Sequence, residues 1–415
     1  MEKRARAILC GVLAALMLAG CGNSEIGKYA VAEADVPART RKTEDRVDTE
    51  ALQRFSDEAT AVVFAGEGNA VYSPVSLYAA LGMLTELTDG GTKQQVMDLL
   101  GVSDSEALRQ WTKALWQQLC YDGKDSALRL GNAAFLNENM TFHKEPLDVL
   151  AKSYYASSYQ VPMGGKAADK AVAAWLNEQT NDLLTEDTGA IKTKEIDLLR
   201  LYNTIYYKAA WQEAFFEGAT KQDIFTAADG TEQRTDFMHI SLAGSPVARG
   251  EGYRRASLHL KDGGRMTFYL PDEGVTVEEL LQRENFLQEA EDLLVDALEV
   301  RLNWSVPKFD IHASLELNDA LRALGVTDAF DKAAADFTPL TDTGAVDSVM
   351  QAARVRIDEE GMEAAAYTEI IVEPTAAEPP PCSEEEMNLN RPFLFAIWKD
   401  GVPLFVGAVQ TMEGM

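Results

Sequence analysis

Apolar residues recur at helical spacing through the first half of the chain. In TEALQRFSDEATAVVFAG, residues 49–66, they fall three or four positions apart from Leu52 to Val63. SLYAALGMLTEL (76–87) and TKQQVMDLLG (92–101) show the same spacing on either side of a turn that contains two glycines. AVAAWLNEQTNDLL (171–184) is another amphipathic stretch. These patterns predict helices.

The second half of the chain is dominated by runs typical of β-strands. The runs are LYNTIYYKAAW (201–211), GGRMTFYLP (263–271), ALEVRLNWSVPKFDI (297–311), AARVRID (352–358), PFLFAIWK (392–399) and PLFVGAVQ (403–410). Helices that precede strands, rather than alternate with them, favour the α+β class over a βαβ array.

One segment alternates like a strand although it lies between a glycine and a proline-rich loop. After Gly361, the positions with even numbers are apolar or small, and the positions with odd numbers carry every charge. The first set is Met362, Ala364, Ala366, Thr368, Ile370 and Val372; the second is Glu363, Ala365, Tyr367, Glu369, Ile371 and Glu373. Pro374 and then Pro379 to Pro381 end any regular structure. The pattern predicts a strand with one buried face in a place where a loop is expected.

Size and charge narrow the possible functions. The chain has 415 residues, of which 46% are hydrophobic, and a formal net charge of −28. It can therefore bury a large core, and it repels nucleic acids and anionic lipids. Residues 48–415 contain no internal repeat, and no low-complexity linker precedes Pro374. We interpret them as one domain.

The first residues are typical of an export signal. A basic start precedes an apolar stretch from Ala7 to Leu18, followed by Leu-Ala-Gly-Cys ending at Cys21. We interpret residues 1–20 as a lipoprotein signal peptide, which makes Cys21 a lipidated N-terminus that anchors the protein at a membrane surface in the cell envelope or outside the cell. The alternative is an ordinary cleaved signal with an incidental cysteine. Residues 21–47 are predicted to be the lipidated end and a flexible tether.

No motif points to catalysis, a metal or a cofactor. The chain lacks G-x-S-x-G, H-E-x-x-H and a P-loop, and its four histidines are scattered. Cys382 lies in the proline-rich loop, so a framework disulfide with Cys120 is not expected. A glycosidase-like pair of acids is the alternative. In a chain this acidic, however, two carboxylates are expected to meet by coincidence. We expect no enzymatic activity and neither a metal site nor a cofactor.

Several stretches together resemble the serpin family of serine protease inhibitors. They are VYSPVSLYAALGMLTELTDGGTKQQVMDLLG (71–101), LYNTIYYKAAWQEAFF (201–216), FYLPDEG (268–274), VPKFDIHASLELNDALRALGVTDAFDKAAADFTPLT (306–341), MNLNRPFLFAI (387–397) and LFVGAV (404–409). The resemblance covers residues 48 to the end. It implies helices packed on three β-sheets and an exposed reactive-centre loop at about residues 359–386.

The resemblance explains the alternating segment as the hinge of a protease bait loop. In serpins this part of the loop inserts into the main sheet as a new strand after cleavage. The hinge residues are Glu359, Gly361, Met362, Glu363, Ala364, Ala365, Ala366 and Thr368. Gly361 is expected to supply backbone freedom. Met362 departs from the small or hydroxyl residue usual in inhibitory relatives, which bears on the speed of insertion.

Further residues match the places where serpin strands part. Ser73, Ser76 and Asn203 match a polar cluster beneath the sheet, where Gln351 replaces a frequent histidine. Trp211 matches the tryptophan at the first point of insertion. Lys308 and Glu359 match an ion pair at the entrance of the hinge. Ordinary stabilisation of the core or the surface is the alternative for each of these residues.

The resemblance also places the bait. Family spacing from Gly361 puts the scissile bond between Thr375 and Ala376. The alternative is cleavage one or two residues away, because the stretch after Thr375 is longer than usual in the family. Thr is small and uncharged, which suits proteases with shallow primary pockets, and no Lys or Arg lies between Gly361 and Met387. An elastase-like or subtilisin-like serine protease is therefore the expected partner of a monomeric inhibitor. The alternative is a non-inhibitory serpin, a binding protein whose loop is only a protease substrate.

Overall fold

A computed structural model shows how these segments pack. It describes residues 26–37, 46–64, 68–184, 188–189, 191–283, 285–293, 297–342, 344–346, 349–362 and 383–414. Four predicted features therefore lie outside the described residues: the signal peptide (1–20), Cys21, the hinge from Glu363 to Thr368, and the Thr375–Ala376 bond.

The described part of the chain contains nine α-helices. They are α1 Glu50–Val63, α2 Pro74–Leu87, α3 Gly90–Leu100, α4 Ser105–Leu119, α5 Lys144–Ser153, α6 Lys166–Gln179, α7 Val277–Leu281, α8 Phe286–Asp292 and α9 Asn318–Ala323. Local chemistry sets several boundaries: Ser73 caps α2 with Pro74 in the first turn, and α3 ends at Gly101, whose φ of 67° favours glycine. None of the described helices is long and apolar enough to cross a membrane.

The described strands number seventeen. They are β1 Ala30–Ala32, β2 Ala70–Tyr72, β3 Tyr121–Asp122, β4 Ser126–Asn137, β5 Ala156–Val161, β6 Leu199–Ala210, β7 Lys221–Thr226, β8 Glu232–Gly250, β9 Tyr253–His259, β10 Arg265–Pro271, β11 Leu298–Pro307, β12 Phe309–Glu316, β13 Met350–Ile357, β14 Gly361–Met362, β15 Glu384–Asn388, β16 Phe393–Lys399 and β17 Val402–Val409. The run predicted at 297–311 is two strands, β11 and β12, separated at Lys308.

Strands of the main sheet follow the order β1-β5-β4-β6-β14-β13-β12, with β3 beside β4. The other strands form a network in the order β15-β11-β8-β9-β10-β16-β17-β2, with β7 beside β8. The expected second and third sheets are continuous here because β8 belongs to both. The first part of β8 pairs with β7 and β11, and its last four residues pair with β9.

The core lies between the two sheets and around α2. Every residue of α2 except Ala80 is buried, and so are all residues of β16 and β17. Continuous apolar strands of this kind are typical of a sheet covered on both faces. The strands predicted at residues 392–399 and 403–410 are confirmed, and the structure shows that they are buried in the core.

The prediction that residues 21–47 form a flexible tether is partly wrong. Residues 26–37 form a 3₁₀ turn and then β1, which adds an edge strand antiparallel to β5. The side chain of Ile26 is buried in the cluster between the main sheet and α6. The Asp35 amide donates to the Ala151 carbonyl at 3.0 Å. The mostly polar sequence gave no sign of this docking, because only a few residues of the segment face the domain.

Asp57 on α1 should make stability depend on pH. Its carboxylate accepts the Leu287 amide at 2.6 Å and the Gln288 amide at 3.3 Å at the start of α8. Burial, with a smaller contribution from Glu289, raises the pKa of Asp57 to about 6. A raised pKa means that the folded state favours the protonated acid. The contribution of Asp57 to the free energy of unfolding is therefore most favourable below about pH 4. As the pH rises through 6, the free energy of unfolding falls by at most about 3 kcal/mol.

We expect Asp57→Asn to raise the apparent melting temperature at pH 7.5 and to have little effect at pH 4. Asparagine retains one acceptor oxygen for the α8 amides and removes the buried charge. The measurement is thermal unfolding at one scan rate across this pH range. An equal shift at both ends would show that Asp57 does not titrate as proposed.

Candidate functional site

The first two residues of the predicted inserting strand are already part of the main sheet. Gly361 and Met362 form β14, which pairs antiparallel with Ala210 and Ala209 of β6. On its other side, Met362 pairs with Ile357 of β13. Within the described residues, β6 and β13 are connected in the sheet only through this short strand. Since Cα atoms of β6 and β13 elsewhere approach within 8 Å of each other, further residues in the same register can enter only if these two strands move apart.

Gly361 is needed for a different reason from the one expected. Its φ is outside the left-handed region, so backbone freedom is not what the position requires. A Cβ atom at this position would lie 2.7 Å from the Cα of Ala210 and would also clash with the Ala209 carbonyl oxygen. The backbones of β14 and β6 approach so closely that only glycine fits.

Met362 is the one residue of the predicted buried face that the structure describes, and it is buried. Its side chain is 3% exposed and belongs to the same core cluster as Ala209 and Ile357. Since side chains alternate along a strand, the positions with even numbers that follow share this direction in any continuation of β14. A flexible thioether is accommodated in this part of the core.

Trp211 fixes the turn between β13 and β14. Its indole Nε1 donates to the Asp358 carbonyl at 2.8 Å, and its amide donates to the Glu360 carbonyl at 2.9 Å. The Asp358 carboxylate accepts the Glu360 amide at 2.9 Å. Only 1% of the Trp211 side chain is exposed, and its ring meets Phe215 edge to face. These contacts place Trp211 beside the turn that leads into β14, and its role at a point of insertion stays a prediction.

The predicted ion pair at the hinge is present. Lys308 Nζ donates to Glu359 Oε2 at 2.8 Å, and Thr220 Oγ1 donates to Glu359 Oε1 at 2.7 Å. Burial favours the neutral acid, but the hydrogen bonds from Lys308 and Thr220 outweigh it and hold the pKa of Glu359 below its usual value. Glu359 is therefore a charged anchor for the start of the loop at neutral pH.

We expect Glu359→Gln to loosen this anchor. A lowered pKa means that the stabilisation is present above the ordinary value of 4.5 and is lost as the pH falls through the folded-state pKa. The amides of Trp211 and Phe215 donate to the carbonyls of Glu360 and Glu359. Their hydrogen exchange at pH 7 should accelerate about tenfold in the variant.

Glu360→Gln is the matched control, because the Glu360 side chain forms no ion pair among the described residues. If both substitutions accelerate exchange equally, the Lys308–Glu359 pair does not anchor the hinge.

The predicted polar cluster beneath the sheet is two separate groups of hydrogen bonds. In the first, Gln351 accepts from the Ser73 amide at 2.8 Å and donates to the Ser73 carbonyl at 3.0 Å. Ser73 Oγ also accepts the Ser76 amide at 3.3 Å. The Ser76 hydroxyl is buried and has no hydrogen-bond partner among the described residues. Gln351 thus joins β13 to the start of α2.

Asn203 belongs to the second group and contacts a residue that the sequence did not single out. Its Nδ2 donates to Asn132 Oδ1 on the neighbouring strand β4, and Asn132 Nδ2 donates to the Tyr154 carbonyl at 2.6 Å. The Oδ1 atom of Asn203 is buried without a hydrogen-bond partner among the described residues. The available signal for Asn132 was a single amide inside the otherwise apolar run LGNAAFL.

A cavity of about 380 Å³ lies beside Asn203, between the main sheet and α6. Tyr202 of β6 and Met350 and Ala352 of β13 line it from the two sides of the gap, and Leu176 of α6 also borders it. Lys192, Lys194 and Arg200 contribute cations to its wall. Elsewhere among the described residues, no group of three or more His, Cys, Asp or Glu side chains could hold a metal ion.

Comparisons with known proteins agree with this arrangement. Residues 50–412 match the family described as "Serpin (serine protease inhibitor)". Serpin-Z1A of Triticum aestivum is 28% identical over 394 residues, 90% of this chain and 98% of the relative. Serpin B6 of Pongo abelii is 27% identical over 341 residues, 79% of this chain and 89% of the relative. The native structure of the thermophilic serpin tengpin superimposes with a TM-score of 0.81 and 26% identity, over 92% of this chain and all of that structure.

Proposed function

Since the chain belongs to the serpin family of protease inhibitors, we propose that it traps serine proteases covalently by inserting its cleaved loop between β6 and β13. The single observation that carries the proposal is β14. Gly361 and Met362 already occupy the top of the gap, in the register and orientation that a longer strand would need.

Extending the register of β14 supports the proposal. Each further residue of the loop moves its partners on β6 and β13 back by one. Thr368, the one hydroxyl residue of the buried face, then falls opposite Asn203 and Gln351. Its hydroxyl would then be a donor close to the buried Oδ1 of Asn203, which has no hydrogen-bond partner among the described residues. The polar residue of the loop thus meets the polar positions of the sheet.

The same register accounts for the position of Pro374. β6 begins at Leu199, which faces residue 372 in the extended pairing. Pro374 therefore lies beyond the last paired position, where its missing N–H removes no hydrogen bond from the sheet.

In the proposed reaction the target protease performs the chemistry. Its serine oxygen attacks the carbonyl carbon of Thr375, the bond to the Ala376 nitrogen breaks, and the amine leaves with the C-terminal segment. The new ester links the protease to Thr375. Insertion then carries the acyl-enzyme away from its original position and distorts its active site before water hydrolyses the ester. The inhibitor supplies a substrate and a conformational change.

The test is incubation with elastase-like, subtilisin-like and trypsin-like serine proteases. We expect a complex that resists denaturant with the first or second class, and a released peptide that begins at Ala376. Trypsin-like enzymes should form none, because the bait lacks Lys and Arg. If every active protease cleaves the loop and dissociates, the protein is a non-inhibitory serpin.

We also propose that Cys21 carries a lipid that anchors the exported protein. The order Leu-Ala-Gly-Cys after an apolar stretch supports this. In detergent phase separation, the wild-type protein should enter the detergent phase and Cys21→Ser the aqueous phase. Equal partition of the two would contradict the anchor.

A further inference from the structure

The outward face of the gap carries two cations that have no ion-pair partner among the described residues. Lys208 of β6 is half-buried and Arg356 of β13 is exposed. Both point away from the core, because their neighbours Ala209, Val355 and Ile357 belong to the core cluster. By contrast, the nearby Arg354 is engaged by Asp310, with hydrogen bonds of 2.7 and 2.8 Å.

These two cations flank a single position in the register of β14. Met362 faces Ala209 and Ile357, so in a continuation of β14 the next residue, Glu363, would fall between Lys208 and Arg356. Neighbouring strands lie about 4.8 Å apart, which puts β6 and β13 about 10 Å apart across an inserted strand. Both long side chains can reach one carboxylate at that spacing. Without it, Lys208 and Arg356 are like charges on the two facing strands. The Asp310 carboxylate, which is on the cross-strand neighbour of Arg356, already accepts two hydrogen bonds from Arg354.

The acidity of the loop and of the protein favours such a site. The odd-numbered face of the loop carries Glu363, Glu369 and Glu373, and the protein has a formal net charge of −28. An acidic strand that enters an acidic protein is repelled unless cations line its path. The same register places Glu369 opposite Tyr202 and Met350, which line the cavity containing Lys192, Lys194 and Arg200.

We propose that Lys208 and Arg356 form a cation clamp that binds the carboxylate of Glu363 and guides the first newly inserted residue into the sheet. This inference rests on the proposed function. The clamp positions the loop and takes no part in the chemistry. It acts on the outward face and is therefore independent of the apolar packing of the even-numbered residues.

Charge reversal tests the clamp. Lys208→Glu with Arg356→Glu, and Glu363→Lys alone, should each raise the number of inhibitor molecules consumed per trapped protease about tenfold. The triple variant restores opposite charges and should return this number close to the wild-type value. Lys152→Glu with Lys332→Glu is the control for net charge, because it changes the charge by the same amount as the double variant and both lysines are exposed and lie outside β6 and β13.

A second readout separates the clamp from the proposed function. Each variant is nicked in the loop by a protease that is not trapped, and the rise in melting temperature on nicking is measured. If the wild-type protein shows no rise, insertion does not occur, and both the proposed function and the clamp are overturned. If wild type and all variants rise and inhibit alike, or the triple variant fails to recover, only the clamp is overturned.

Discussion

Ala366→Glu should convert the protein from an inhibitor into a substrate of its target protease. In the extended register of β14, Ala366 falls opposite Ile205 and Ala353, which are both buried in the main core cluster. A carboxylate at this position would be buried without a partner, at a cost of several kcal/mol. Insertion would stall after a few residues, and water would hydrolyse the acyl-enzyme.

The measurements are the fraction of protease trapped and the melting temperature after nicking. We expect trapping to fall at least about tenfold and the rise in melting temperature to disappear. Ala365→Glu is the matched control: the same change one residue earlier falls on the outward face, opposite Tyr206 and Arg354. Unimpaired trapping by the Ala366→Glu variant would refute loop insertion as the mechanism.

Trp211→Ala should be among the most destabilising single substitutions near the hinge. It removes a fully buried ring and the hydrogen bond from Nε1 to the Asp358 carbonyl. Substitutions of this kind cost about 3–5 kcal/mol. The turn between β13 and β14 would lose the side-chain contact that defines its geometry. The free energy of the first unfolding transition in urea measures the effect.

Trp211→Phe separates the two contributions. It keeps most of the ring packing against Phe215 and removes only the donor to Asp358, so we expect a loss of about 1–2 kcal/mol. If the alanine and phenylalanine variants are equally stable, the packing of the indole contributes little at this site.

Local patterns predicted the elements whose neighbours are close in sequence. The stretch predicted as a helix at 76–87 is α2, extended to Pro74 by the Ser73 cap. The apolar run at 392–399 is the buried β16. In both cases one short stretch contains the whole signal, either a continuous apolar run or helical spacing with a cap.

The unpredicted features depend on partners distant in sequence. The side chain of Asn132 is significant because its strand meets Asn203, 71 residues later. The division of the polar cluster follows from which strand each side chain faces. The close approach that requires glycine at Gly361 arises only when β14 is paired with β6. The family resemblance named Trp211, Lys308 and Glu359, whereas their hydrogen bonds required the structure.

If Cys21 carries the proposed lipid, the position of Ile26 and β1 limits how far the domain can stand from a membrane. Ile26 is fixed in the cluster beside α6, so only four residues separate it from Cys21. Even in a fully extended chain, the five steps from Cys21 to Ile26 span about 17 Å. A lipid on Cys21 would hold the domain against the bilayer surface, with little freedom to reach outward. Proteases that approach this thin layer would then meet the bait at a high effective concentration.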